Sequence, residues 1–374
     1  MHTLMLISLI CGAYICLRAV WPLPLRWWQR ALLGVLVIAV ALCFKALQVL
    51  GGGRLFAPDL PAWFIVGYAW LYLVLMTFGV GVLAVSVLQA GCLMVPAWRQ
   101  LEKHTKRSCI NKIHGVLLFI SALLCGLGIW NALKLPEVRE LQLNLPVRAP
   151  LRIAMLTDLH VDAVKKADFI RSIVERTNAL KPDIVVITGD FVDGSVEKRG
   201  ASLLPLRELQ APVYAVPGNH DYFSDYREWL PFMSSLGISM LNNDHVILPA
   251  SHAVLAGVTD PAAALFDHER PHVEKALRGA PTDAPVILLA HQPKIALEAS
   301  KCGVALQLTG HTHGGQLPGF VQLTAAFNHG WVSGLYRVGD MHLYISNGTI
   351  LWTGMPLRLG VPSEITLITI TPAS

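Results

Sequence analysis

Charge is scarce in this sequence. Asp, Glu, Lys and Arg make up 15% of 374 residues while 53% are hydrophobic, too apolar a balance for a chain that is soluble throughout. The net charge of +5 is small for this length, and no basic stripe or aromatic ladder is present, so no nucleic acid is expected as a partner. Cysteine is nearly missing from the second part: Cys11, Cys16, Cys43, Cys92, Cys109 and Cys125 all fall before residue 134 and Cys302 alone after it, which excludes an internal disulfide there. Internal repeats and low-complexity tracts are absent too.

The apolar excess sits in the first third. Residues 1–17, 31–50, 62–95 and 113–133 are long apolar runs broken only by Lys45 and His114, each near or above the ~20 residues that a bilayer-crossing helix needs. They predict an all-α bundle of four membrane helices over residues 1–134. No Lys or Arg precedes the first run and no small-residue cleavage motif follows it, so it reads as a retained helix rather than a signal peptide. Trp21, Trp27, Trp28, Trp63, Tyr68, Trp70 and Trp98 lie near the ends of the runs, as interfacial aromatics do. The first connection carries Arg18, Arg26 and Arg30 and the third carries Arg99, Lys103, Lys106, Arg107 and Lys112, whereas the second offers mainly Arg54 against Asp59. Positive loops stay cytoplasmic, so the part after residue 134 is expected outside the cytoplasm, although Lys134, Arg139 and Arg148 run against this.

After a linker at 135–149 the pattern changes. The runs "LRIAML", "PDIVVIT", "APVYAVP", "APVILLA", "VALQLT", "MHLYIS" and "EITLITI" read as strands, and the polar stretches 164–180 and 262–279 read as helices. Residues 150–374 are therefore expected to form a layered α/β or α+β domain. Polar residues cluster where strands end: Asp158 and His160, Asp190 and Asp193, Asn219 with His220 and Asp221, His291, and His311 with His313. Carboxyl ends of strands share one edge of such a sheet, so these residues converge. Residues at i and i+2 of an extended chain point the same way, which lets Asp158 with His160, and His311 with His313, each present two donors to one point. Gly310, Gly314 and Gly315 supply tight turns beside them. A zinc ion takes about four ligands. Seven candidates (Asp158, His160, Asp190, Asn219, His291, His311, His313) therefore point to two divalent ions, with mixed carboxylate, amide and imidazole donors suited to Mn, Fe or Zn. Asn219 alone reads as a turn residue and His291 alone as a structural histidine. Their occurrence on five strand ends together is what carries the metal reading.

Asp158-Leu-His160, Gly189-Asp190 with Asp193, the GNHD run at 218–221, His291 before Gln-Pro and the GHTH run at 310–313 resemble, in order and spacing, the calcineurin-like metallophosphoesterases. The likeness covers residues 148–374 and is strongest to a bacterial branch of membrane-associated phosphodiesterases and to transmembrane proteins with a metallophosphoesterase domain. It implies an α+β four-layer β-sandwich flanked by helices. It also implies that Asp158, His160 and His313 hold one ion, that Asn219, His291 and His311 hold the other, and that Asp190 bridges. His220 is then the general acid or a phosphate donor, oriented by Asp193 or Asp221. No Arg directly follows Asp193, where many relatives have one.

The chemistry implied is attack of a metal-bridging hydroxide on a phosphate ester, with His220 protonating the departing alkoxide. Asp162 reads as a solvated loop acid, and Asn347-Gly-Thr349, formally a glycosylation sequon, reads as a turn. His245, His252, His268, His272, His329 and His342 lack the strand-end context and read as surface or packing residues. The apolar stretch "LPGFVQLTAAFNHGW" at 317–331 is either ordinary core or a surface that meets a lipid-linked or envelope substrate in a bacterial inner membrane. Two other classes compete. An amidohydrolase also uses an HxH pair, but there it opens the site rather than closing it. A metal-binding receptor or transporter accessory domain without catalysis is the second, disfavoured by the scarcity of charge within the apolar runs.

Overall fold

The computed structural model describes residues 2–50 and 59–373. Arg54, used above for orientation, lies outside them. The chain divides into two compact units, Met1–Trp130 and Asn131–Ser374.

The first unit is helical: α1 His2–Ile15, continued by a π-turn at Cys16–Val20, α2 Trp27–Leu50, α3 Ala62–Cys92, the short α4 Pro96–Gln100, and α5 Lys103–Ala132. Its interior gathers Ile15, Ala19, Val20, Ala41, Leu75, Phe78 and Val82. Among the described residues two helices, α3 and α5, are long and apolar enough to cross a bilayer, while Met5–Val20 and Trp27–Cys43 are shorter apolar helices. This measure supports two of the four spans expected from the apolar runs. The basic connections share one end of the unit: Asn111 and Arg107 both donate to the Pro22 carbonyl, and Arg18 bonds Ser86 and Gln89.

In the second unit the strands are β1 Glu137–Leu145, β2 Leu151–Leu156, β3 Ile184–Thr188, β4 Val213–Val216, β5 Ile238–Met240, β6 Asp244–Leu248, β7 Ala253–Gly257, β8 Val286–Leu289, β9 Val304–Thr309, β10 Gly334–Val338, β11 Met341–Ile345 and β12 Glu364–Pro372. Between them lie α6 Ala167–Ala179, α7 Val196–Leu203, α8 Asn219–Phe223, α9 Tyr226–Ser235, α10 Val273–Ala276, α11 Ala296–Ala299 and α12 Phe320–Phe327. The strands build two mixed six-stranded sheets, ordered β1-β12-β2-β3-β4-β5 and β10-β11-β9-β8-β7-β6.

Alternation along the strands explains the layering. Ile153, Met155 and Val186 of the first sheet meet Leu255, Ile287, Leu289 and Leu308 of the second between the sheets. Ala154, Leu156, Val185 and Ile187 face the other way and pack on Ile170, Ile173, Trp229 and Met233 of α6 and α9. On the outer side of the second sheet, Val254, Ala256 and Leu288 meet Val273, Ala276, Ala296 and Ala299 of α10 and α11. Because both faces of each sheet are covered, central strands read as unbroken apolar runs rather than alternating ones.

Two expectations are corrected here. The segment 135–149 is not a linker: residues 137–145 form β1, which pairs in parallel with β12 along its whole length. Its alternating polar face is that of an edge strand exposed on one side, which composition alone does not separate from a connector. The expected helix at 262–279 is a 3₁₀ turn at Pro261–Phe266 and the single turn α10, with Pro271 interrupting the segment between them.

Candidate metal centre

The seven expected ligands arise at the carboxyl ends of five strands. Asp158 and His160 follow β2, Asp190 follows β3, Asn219 opens α8 after β4, His291 follows β8, and His311 and His313 follow β9. Asp158, His160, Asp190, His291 and His313 are buried. The local geometry is not the extended one that the i, i+2 argument assumes. Asp158, His160, Asp190, His311 and His313 have φ of 54°, 40°, 54°, 70° and 49°, a left-handed region uncommon for residues with a Cβ, each such residue costing roughly 1–3 kcal/mol. Turns, not strand pleating, aim the donors. The turns are held by backbone bonds across strand ends, Asp158 N–H to the Gly189 carbonyl at 3.0 Å and His160 N–H to the Asp190 carbonyl at 2.9 Å.

Two sets of donors result. In one, His160 Nε2 lies 3.3 Å from His313 Nε2, and Asp158 Oδ1 lies 3.9 Å from the first and 3.7 Å from the second. In the other, His291 Nε2 lies 3.2 Å from Asn219 Oδ1 and 3.2 Å from His311 Nδ1. Asp190 Oδ2 stands between the sets, 3.6 Å from His160 Nε2 and 3.2 Å from His291 Nε2. Donors about 2.0–2.1 Å from a tetrahedral cation sit ~3.3–3.4 Å apart, so the side chains present fit divalent ions. The tautomers agree: His160 Nδ1 faces Asp193 Oδ2 at 3.0 Å and His291 Nδ1 faces the Thr188 carbonyl at 2.8 Å. Each Nδ1 thus has an acceptor for its proton, the arrangement in which a neutral imidazole presents Nε2 to a metal.

Electrostatics separate the histidines. Burial, then the neighbouring His291, depress His311 to about 3, and burial with His160 holds His313 well below the ordinary histidine value. Both are neutral donors. Burial opposes charge on His291 as well, but the Asp190 carboxylate outweighs it and raises its pKa to about 10. His291 would ligate an ion only after releasing that proton.

Glycine is required at two points by close approach. A Cβ on Gly310 would lie 2.1 Å from Thr157 Oγ1 and 2.3 Å from Asp158 Oδ2, and one on Gly218 would lie 2.2 Å from Asp190 Oδ1 and 2.5 Å from its backbone nitrogen.

The chain was compared with known proteins. A family model described as calcineurin-like phosphoesterase matches residues 151–315, a span that contains every one of these donors. A protein described as a metallophosphoesterase from Helicobacter pylori is 37% identical over 253 residues, 66% of either chain. A transmembrane protein with metallophosphoesterase domain from Bos taurus is 33% identical over 305 residues, 74% of this chain and 67% of that one. A metallophosphoesterase from Aquifex aeolicus is 32% identical over 232 residues, 61% of this chain and 87% of its own. The chain belongs to the calcineurin-like metallophosphoesterase family. It spans just under two thirds of the length of the Helicobacter relative.

Around its donors the metallophosphoesterase builds a polar frame that sequence reasoning caught only in part. Asp193 carries two histidines, with Oδ2 on His160 and Oδ1 2.5 Å from His220 Nδ1. Burial opposes charge on His220, but Asp193 and Asp190 override it and lift its pKa to about 9. Asp221, expected to orient His220, does something else. Its carboxylate accepts from the N–H groups of Asp190 at 3.0 Å, Phe191 at 2.9 Å and Gly218 at 2.8 Å. It fixes the backbone that presents Asp190. Asp162 is not a solvated acid: it is 4% exposed, and its Oδ1 accepts from Val164 and Lys165 N–H. The buried Lys165 ties this loop to the Leu351 carbonyl at 2.5 Å. Asn347 is buried on Glu364, and Gly348 beside it takes φ 86°, so the sequon is a turn within the core.

Arg358 was missed altogether. It is 1% exposed and its guanidinium donates to the carbonyls of His313, Val361, Asn347 and Ile350. It pins the backbone of a ligand. Its only signal in the sequence is an arginine set in the apolar run "MPLRLG".

Proposed function

We propose that this metallophosphoesterase is a dinuclear hydrolase of phosphodiesters. The observation that carries the reading is the placement of Asp190, one oxygen of which faces both donor sets. Asp158, His160 and His313 would hold one ion, Asn219, His291 and His311 the other, and Asp190 both. Divalent ions bound there supply Lewis acidity toward a phosphoryl oxygen and acidify water to a neutral pKa, about 7 at zinc. The chain's own residues do the rest. His220 stands beside the donor sets, its backbone N–H on Asp190 Oδ1 at 2.8 Å, and would give its proton to the departing oxygen. Asp193 orients that imidazole and keeps it protonated. Gly194 follows Asp193, so no arginine contacts phosphate from that position. Such a centre would serve a diester better than a dianionic monoester.

The apolar helices support attachment to a membrane. The arginine and lysine clusters of the first and third connections support an orientation with these inside and the catalytic unit outside the cytoplasm. On this reading all four apolar helices span the bilayer and the substrate is an envelope phosphodiester.

Metal analysis of the purified full chain, with bis-p-nitrophenyl phosphate turnover in wild type and Asp190→Asn, tests the proposal. We expect about two ions per chain and loss of turnover in the variant. Equal turnover in both would defeat the catalytic assignment. Bound metal without turnover of any phosphate ester would favour a binding domain.

A further inference from the structure

The stretch 317–331 is not core. Its helix α12, FVQLTAAF, has no charged residue and no buried one. Phe320, Leu323 and Phe327 are 42%, 52% and 67% exposed, and their i, i+3, i+7 spacing places them on one face. Single exposed apolar residues need no explanation, but a contiguous stripe does. With Met355, this face lines a groove of about 290 Å³ that His311 and His313 also line. Ligand pockets run from roughly 300 Å³ upward, so this volume suits one portion of a ligand. The helix is pinned there: Gly315 sits at φ 72°, and a Cβ on it would lie 2.8 Å from Val321 Cα. An apolar surface and two metal donors therefore share one cavity.

None of the groove's lining residues is charged. Two of its polar groups are engaged within the protein, the Thr312 hydroxyl on the Val332 carbonyl and the Asn328 amide on the Thr324 carbonyl, while Gln316 Oε1, Asn328 Oδ1 and His313 Nδ1 have no protein partner. Those three atoms lie on the loops on either side of α12, and the face that α12 itself turns to the groove, Phe320, Leu323 and Phe327, offers hydrocarbon. The His220 side is apolar as well: the rings of Phe223 and Trp352 each lie 5.7 Å from the imidazole.

We propose that the α12 groove seats the acyl chain of an amphiphilic phosphodiester whose phosphate lies at the metal centre. This rests on the phosphoesterase reading above and names its substrate class.

The test uses methyl and butyl p-nitrophenyl phosphodiesters at monomeric concentration, with the manganese-loaded full chain in nanodiscs. A methylene contributes about 0.8 kcal/mol when fully buried, so three half-covered ones raise kcat/KM roughly 7-fold for butyl over methyl, through KM. In Leu323→Ser and in Phe327→Ser, both at exposed positions, that ratio falls toward one. Partition of the ester into the disc is common to wild type and variants, so it cannot produce the difference. A flat ratio in wild type, or a raised ratio unchanged in both variants, overturns the inference while the phosphoesterase reading stands. Absence of any methyl ester hydrolysis would sink the phosphoesterase reading, and this inference with it.

Discussion

On the proposed mechanism, replacing Asp193 with Asn separates metal binding from acid catalysis, because one carboxylate would serve both. In wild type its two oxygens accept from two imidazoles, His160 Nδ1 at 3.0 Å and His220 Nδ1 at 2.5 Å. Asparagine has one acceptor oxygen, and its NH₂ group is a donor, so it satisfies one Nδ1–H and confronts the other. If the oxygen stays on His220, the His160 proton moves to Nε2 and occupies the lone pair aimed at the ion. If the oxygen turns to His160, His220 loses the partner that holds it charged. Hydrogen bonds to charged groups contribute about 1.5–3 kcal/mol, so either choice costs roughly 10- to 100-fold. The first appears as weaker metal affinity, matching the ~10–100-fold losses seen when the partner of a ligating histidine is removed. The second appears in kcat at saturating metal and depends on the leaving group. A p-nitrophenolate leaves without a proton, whereas an alkoxide needs one, so bis-p-nitrophenyl phosphate should lose little and a dialkyl phosphodiester up to the full factor. The assay is a manganese titration of both activities in wild type and Asp193→Asn, with bound metal measured in parallel. Unchanged metal affinity together with equal losses for both esters would refute the double role.

Gly218→Ala pushes a methyl group against Asp190 Oδ1 and its backbone nitrogen; we expect about 1–3 kcal/mol of destabilisation and a marked fall in bound metal, read by thermal melts and elemental analysis. Arg358→Met removes a buried guanidinium from four carbonyls, including that of His313; the unsatisfied acceptors should lower stability by several kcal/mol, measured by urea unfolding, and a loss below about 1 kcal/mol would contradict the pinning role. Asp260 is fully buried, and burial raises its pKa from 3.8 to about 6. The folded state thus holds this proton more tightly than the unfolded one, so its favourable contribution is complete below about pH 4 and is lost as pH rises through about 6, an interval worth ~3 kcal/mol. Melts of metal-free Asp260→Asn and wild type should agree near pH 4 and diverge above pH 6 with the variant more stable; parallel curves would show that the buried carboxylate does not govern this window.

Which parts of this protein were legible in its sequence follows from where the information resides. Residues 184–188, "IVVIT", are covered on both faces, so their apolar character survives any choice of neighbour and marks a strand. Asp190, His291 or His313 carries its chemistry in its own side chain, and only order along the chain was needed to group them. The edge strand β1 announced nothing, because its exposed face is polar like a connector's. The aim of the donors was misread for a related reason. An HxH pair in extended backbone and one with φ of 70° and 49° have the same letters, and the second is held by turn bonds, by Asp158 accepting from His311 N–H and by Arg358 on the His313 carbonyl.

The polar frame was hidden more deeply. Asp221 reaches the N–H groups of Asp190 and Phe191, and Arg358 the His313 carbonyl, across 30 and more residues of sequence, so no local period reports these roles, and a buried acid looks like a solvated one until its partners are in place. The same reasoning applies to α12. FVQLTAAF would be equally at home in a core, and its meaning comes from Gly315, which lets Val321 approach and sets an apolar face beside His311 and His313. Side-chain chemistry can thus nominate a metal centre, but the substrate that centre meets is decided by which surface the fold brings to its edge.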